Sequence, residues 1–157
     1  EDYKAKIDLM CKLIPDISVT TDIIAGFSGE TEEDHRATLR ALSEIRYDGA
    51  YIYKYSVRAG TPAAKLPDDV PLPVKELRNR ELLELQKRIT EENSQKWLGQ
   101  IVKVFVEDRA TKGRDQLVGR TDQDKKVAFE DSDSLIGTFQ QVQLKELHHE
   151  TFIGICV

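Results

Sequence analysis

The sequence predicts an α/β unit followed by a small all-β barrel. Three observations carry that expectation. A β-branched run, ISVTTDIIAG at residues 17–26, leads through a Gly turn into a helical segment. A second strand-like run, AYIYKYS at residues 50–56, follows one helix later and ends in a Pro/Gly-rich loop. From Gln100 onward the apolar spacing switches from the helical period to a period of two.

Each element has its own signal. Residues 2–14 read as an amphipathic helix with Tyr3, Ile7, Met10 and Leu13 or Ile14 on one face, stopped by Pro15. Residues 17–25 are a strand. Thr31 is a good N-cap for a helix over 31–46, and Asp34 three positions on completes a capping-box-like pair. Leu39, Leu42 and Ile45 supply its buried face, and Asp48-Gly49 ends it. Residues 50–56 are the next strand. Strand, helix, strand predicts parallel neighbours joined by a right-handed crossover. Pro62, Pro67, Pro71 and Pro73 make the following loop stiff and extended. Pro73 then suits the first turn of a long helix, roughly 73–98, with Val74, Leu77, Leu82, Leu85 and Ile89 on one stripe and Gly99 closing it. IVKVFVE, QLVGRT, KVAFE, TFQQVQL and TFIGICV are five short strands between turn residues, expected to form an antiparallel OB-like barrel.

Composition bounds the function. With 39% hydrophobic and 32% charged residues the chain reads as globular. No apolar run is long enough to span a bilayer and no signal peptide opens the chain, which favours the cytoplasm and no membrane partner. Cys11 and Cys156 stand far apart, so neither a disulfide framework nor a cysteine-clustered metal site is expected. A net charge of −5 gives no bulk signal for nucleic acid. Two parallel strands alone make a poor sheet, which reads as the tail of a longer protein begun inside its main domain.

The carboxyl ends of the two strands are the natural ligand site. Phosphate is a poor candidate, because Glu32, Glu33 and Asp34 already occupy the positive end of the helix dipole and no phosphate-loop motif is present. A neutral or cationic ligand suits the edge better. The plainer alternative is that Gly26 and Gly29 only make a tight turn with Glu30 in solvent. Asp22, inside an apolar strand, needs either a partner such as Arg58 or Lys54 or a polar cavity.

TTDIIAGFSGETEED, then YIYKYSVRAGTPAAKLPDDVP, then a long helix and VEDRATKGRDQLVGRTDQDKKVAFE, resembles the C-terminal part of a radical-SAM methylthiotransferase. Within that family it is most similar to the MiaB-type tRNA methylthiotransferases, and its last unit resembles a TRAM domain. The resemblance covers essentially the whole chain. Ser28 and Ala59 depart from the usual GFPGET and RPGT. It implies the end of a radical-SAM partial (β/α) barrel at residues 1–72, a connecting helix at 73–98 and an RNA-binding TRAM barrel at 99–157. It implies S-adenosyl-L-methionine as cofactor, cleaved to an adenosyl radical, with a second SAM donating methyl. It also implies two 4Fe-4S clusters, whose thiolate ligands this chain lacks. Asp22, Gly26, Glu30, Tyr55, Ser56 and Arg58 match the late barrel strands and are expected to line the SAM and substrate cavity. No catalytic residue and no metal ligand is expected in this chain, which alone should be inactive. Implied partners are tRNA, the remaining N-terminal portion of the enzyme and an electron donor. A RimO-type enzyme acting on a ribosomal-protein aspartate, or a stand-alone RNA-binding module, are the alternatives.

In the last unit acidic side chains outnumber basic ones, yet Arg109, Lys112, Arg114 and Arg120 fall in one loop-and-strand stretch that could grip phosphates. A solvated hairpin is the plainer reading. Phe105, Phe129, Phe139 and Phe152 each sit in an apolar alternation and are read as core. His148 and His149 are placed in a turn.

Overall fold

A computed structural model describes residues 2–110 and 116–157. The chain forms two compact units: residues up to Pro15 with Val19–Thr90, and Asp16–Ser18 with Glu91–Val157.

In the first unit, α1 (Asp2–Leu13), β1 (Thr20–Ala25), α2 (Glu32–Ile45), β2 (Gly49–Lys54), a 3-10 turn (Pro62–Lys65) and α3 (Leu72–Gln95) follow in order. The strands pair in parallel, with Asp22 opposite Tyr51, Ile24 opposite Tyr53 and Ala25 opposite Lys54. The parallel expectation therefore holds, although β1 starts later than residue 17. Ile7, Ala25, Leu42, Tyr47, Leu82 and Ile89 make the core, with Ile23 and Ile52 packed against it. Strand side chains alternate faces, so the helices cover the face that bears Ile23 and Ile52. The opposite face stays open. Of the apolar face read onto α1, only Ile7 is buried; Tyr3, Met10, Leu13 and Ile14 are exposed.

Thr31 caps α2 as read. Its hydroxyl accepts from Asp34 N–H at 3.2 Å, and its own N–H donates to the Asp34 carboxylate at 2.9 Å. The Thr31 side chain first, then its backbone, hold Asp34 below the ordinary value of 3.8. This cap is complete above that value and is lost as pH falls through the lowered one. The helix ends sooner than Asp48-Gly49, because Arg46 adopts the left-handed conformation at φ 58° and donates its N–H to Leu42.

The buried stripe of α3 is not the purely apolar one. Lys75, Arg78, Leu82, Gln86 and Ile89 are buried, spaced three and four apart, whereas Leu77 is exposed. Gln86 donates to the Tyr47 carbonyl at 2.9 Å and Asn79 to the Ile52 carbonyl at 3.3 Å. Polar groups of α3 thus satisfy one carbonyl of β2 and one just ahead of it.

The second unit is a closed barrel of β3 (Ile101–Arg109), β4 (Gln116–Thr121), β5 (Lys126–Glu130), β6 (Phe139–His148) and β7 (Thr151–Cys156), in the order β3-β4-β5-β7-β6. A 3-10 turn (Asp133–Leu135) lies between β5 and β6. The five strands stand where the alternation put them, but they are not all antiparallel. β5 and β7 pair in parallel. Five strands closed in a ring cannot all alternate direction, so at least one neighbouring pair must run the same way. Val104, Val106, Leu117, Val127, Phe129, Val142, Leu144 and Phe152 fill the interior, with Trp97 packed against it. Among the described residues no helix is long and apolar enough to cross a membrane.

Candidate functional site

The two strand ends meet as expected. Tyr55 N–H donates to the Ala25 carbonyl at 2.8 Å, so the ladder continues to the turn after β1. Gly26 takes φ +73°, and a Cβ there would collide with Lys75 Cγ. Only glycine serves both needs.

Glu30 is not solvated. Its carboxylate accepts from Gly26 N–H at 2.9 Å and from Arg78 at 2.8 Å. Arg78 also donates to the Glu30 carbonyl at 3.0 Å, and the two side chains are only 7% and 14% exposed. Among the described residues the Nε–H of Arg78 meets no acceptor. Lys75, equally buried, pairs with Asp68 and donates to the Tyr55 carbonyl at 3.4 Å. Asp69 accepts from Gly29 N–H at 2.9 Å. The turn at residues 26–30 is therefore clamped from α3 and from the loop ahead of it. That loop is not simply extended; Thr61 caps the 3-10 turn inside it.

The remaining candidates separate. Tyr55 is buried, edge-on to Phe27 at 4.9 Å, and its hydroxyl donates to the Ala63 carbonyl. Ser56 and Arg58 are exposed in the following loop. Asp22 is exposed on the open face and takes neither suggested partner; Lys54 pairs with Glu76 at 3.0 Å instead. An exposed carboxylate needs no ion-pair partner, so the cost that prompted the search does not arise. Beside it stand Ile24, Tyr51 and Tyr53, the tyrosines 62% and 58% exposed. Sequence reasoning missed these two, although the Tyr-x-Tyr spacing of AYIYKYS puts both on one strand face. It also missed Lys75 and Arg78.

Cys11 is exposed and Cys156 partly buried, and they belong to different units. Burial, then Asp131, push the Cys156 thiol up. Among the described residues no three His, Cys, Asp or Glu side chains are grouped to hold a metal ion.

On the barrel, Arg109 pairs with Asp133, and Arg120 with Asp124 at 2.8 Å and Glu107 at 3.5 Å. All are exposed pairs. Lys112 and Arg114 lie outside the described residues. Two of the four phenylalanines read as core are not: Phe129 and Phe152 are buried, but Phe105 and Phe139 are exposed. The period of two fits either face, and these two rings share their face with Lys103, Gln141 and Gln143. His148 ends β6 and bonds Glu146 at 2.8 Å, while His149 turns the chain at φ 57°.

Residues 95–155, which hold the barrel, match the TRAM domain. Along nearly its whole length the chain is similar to the tRNA-2-methylthio-N(6)-dimethylallyladenosine synthases. It is 43% identical over 154 residues, 98% of this chain, to the synthase of Protochlamydia amoebophila. It is 42% identical over 98% of the chain to that of Chlorobium limicola and 48% over 92% to that of Acetivibrio thermocellus. The chain spans about a third of the length of these curated relatives, 34%, 35% and 30% respectively.

Proposed function

We propose that the chain works as the closing portion of a radical-SAM methylthiotransferase that adds a 2-methylthio group to isopentenyladenosine beside the tRNA anticodon. The observation that carries this is the similarity to the synthases over 98% of the chain. Residues 1–72 then close the catalytic partial barrel, 73–98 connect, and 99–157 grip RNA in the cytoplasm. The reading as a ribosomal-protein methylthiotransferase, or as a binding module alone, has no comparable support.

The open face of the two-stranded sheet suits S-adenosyl-L-methionine by its donor set. Asp22 offers acceptors to hydroxyls or an ammonium, and the rings of Tyr51 and Tyr53 suit a sulfonium. When bound, this cofactor supplies the adenosyl radical and the methyl group. Gly26, Glu30 and Tyr55 contribute by fixing the turn, since their polar groups are already engaged. Ser56 and Arg58 remain free to reach substrate from the loop. The residues present do not fit an iron–sulfur cluster, since two thiols in different units cannot supply its ligand set. The clusters, with the electron donor that reduces them, belong to the rest of the enzyme.

Titrating the chain with tRNA at several salt concentrations tests the RNA half of this reading. Arg109→Ala with Arg120→Ala should weaken binding and flatten the plot of log K against log salt by about 1 per lost phosphate contact. An unchanged slope removes these two side chains from the interface. Failure of the unaltered chain to bind tRNA favours the ribosomal-protein alternative.

A further inference from the structure

We propose that the outer face of the barrel around Phe105 and Phe139 is a stacking platform for unpaired nucleotides, a surface that takes in Arg120 alone of the loop-and-strand cations that first suggested RNA. The proposal rests on the RNA-binding part of the reading above and says where, and in what form, RNA is held. Phe105 and Phe139 stand opposite each other on β3 and β6, 40% and 55% exposed, with ring centroids 5.2 Å apart. The barrel interior is already filled by Phe129 and Phe152, so these rings add nothing to the core. The same cross-strand row continues from Phe105 to Arg120 on β4 and to Lys126 on β5. Residues directly opposite one another share a face, so two rings and two cations lie in one line across four strands. Lys103 adds a third cation, its Nζ 4.1 Å from the Phe139 centroid.

This combination selects the ligand. Bases stack on exposed aromatic faces whatever their identity, while cations beside the rings take the backbone. Paired bases cannot offer their faces, so the occupant is single-stranded, as in a loop. A purely apolar protein contact would not call for the cations. Among the described residues neither Lys103 nor Lys126 has a carboxylate partner. Arg120 is held by Glu107 and Asp124, but that pairing is exposed, and such pairs are weak enough to open for a phosphate.

The test is fluorescence anisotropy of the full chain with a labelled oligoadenylate about ten nucleotides long, within the span of one such barrel. A matched RNA duplex serves as the control. Phe105→Ala with Phe139→Ala should weaken single-strand binding about 10- to 100-fold and leave the duplex unchanged. Phe105→Tyr with Phe139→Tyr should restore it. Unaltered single-strand affinity in the double alanine variant overturns the platform while tRNA binding by the same variant keeps the RNA reading intact. No binding of either RNA by the unaltered chain overturns both. Self-association in sedimentation that the double alanine variant abolishes, with oligoadenylate affinity unmoved, makes the face a protein contact and likewise overturns the platform.

Discussion

Replacing Arg78 by methionine should lower the unfolding free energy of the first unit by about 3–5 kcal/mol, the cost of leaving a buried carboxylate without its partner. Methionine keeps most of the volume but offers nothing to Glu30, whose carboxylate and carbonyl both accept from Arg78. Urea titration followed by far-UV circular dichroism reads this unit, where α1, α2 and most of α3 lie. Adding Glu30→Gln to the variant should recover part of the loss, because a neutral amide is cheaper to bury than an unpaired charge. A loss below about 1 kcal/mol, the range of exposed ion pairs, would mean that water reaches this pair. The functional consequence follows from position. The clamp fixes the turn between β1 and α2, and that turn borders the open sheet face.

The barrel should respond to Phe129→Ala by about 3–5 kcal/mol, the range for a large aromatic removed from a packed interior. Phe129 is fully buried in one cluster with Val104, Val127 and Phe152. Trp97, the sole tryptophan, packs against this core, so its fluorescence follows the barrel alone. Two units unfold as two transitions unless coupled, and two probes keep them apart. A fluorescence midpoint that stays in place would show that the interior repacks freely. The same substitution should leave the dichroism transition of the first unit where it was.

What the sequence made legible was the backbone. A β-branched run, a capped helix and a second run favour a parallel pair, and β1 and β2 form one. Alternation likewise placed β3 to β7 to within a few residues. Side-chain facing was less legible, for two physical reasons. In α3, Lys75 and Arg78 read as solvent-facing because charges usually are. Their burial depends on Asp68 and on Glu30, the latter 48 positions away. In the barrel, a period of two says which residues share a face but not which face is inside. The polar companions decide. Lys103 marks the face of Phe105 as outer, as Gln141 and Gln143 do for Phe139, whereas Val127 marks that of Phe129 as inner. That some neighbouring pair must run parallel follows from an odd strand count in a closed barrel, but that the pair is β5 and β7 does not.

The most direct measurement is the nucleoside content of tRNA from cells lacking the gene that encodes this chain. Total tRNA is digested and its modified adenosines are quantified by mass spectrometry. On the proposed function, 2-methylthio-isopentenyladenosine disappears and isopentenyladenosine accumulates in its place. Methylthiolated nucleoside at the level of the parent strain would contradict it.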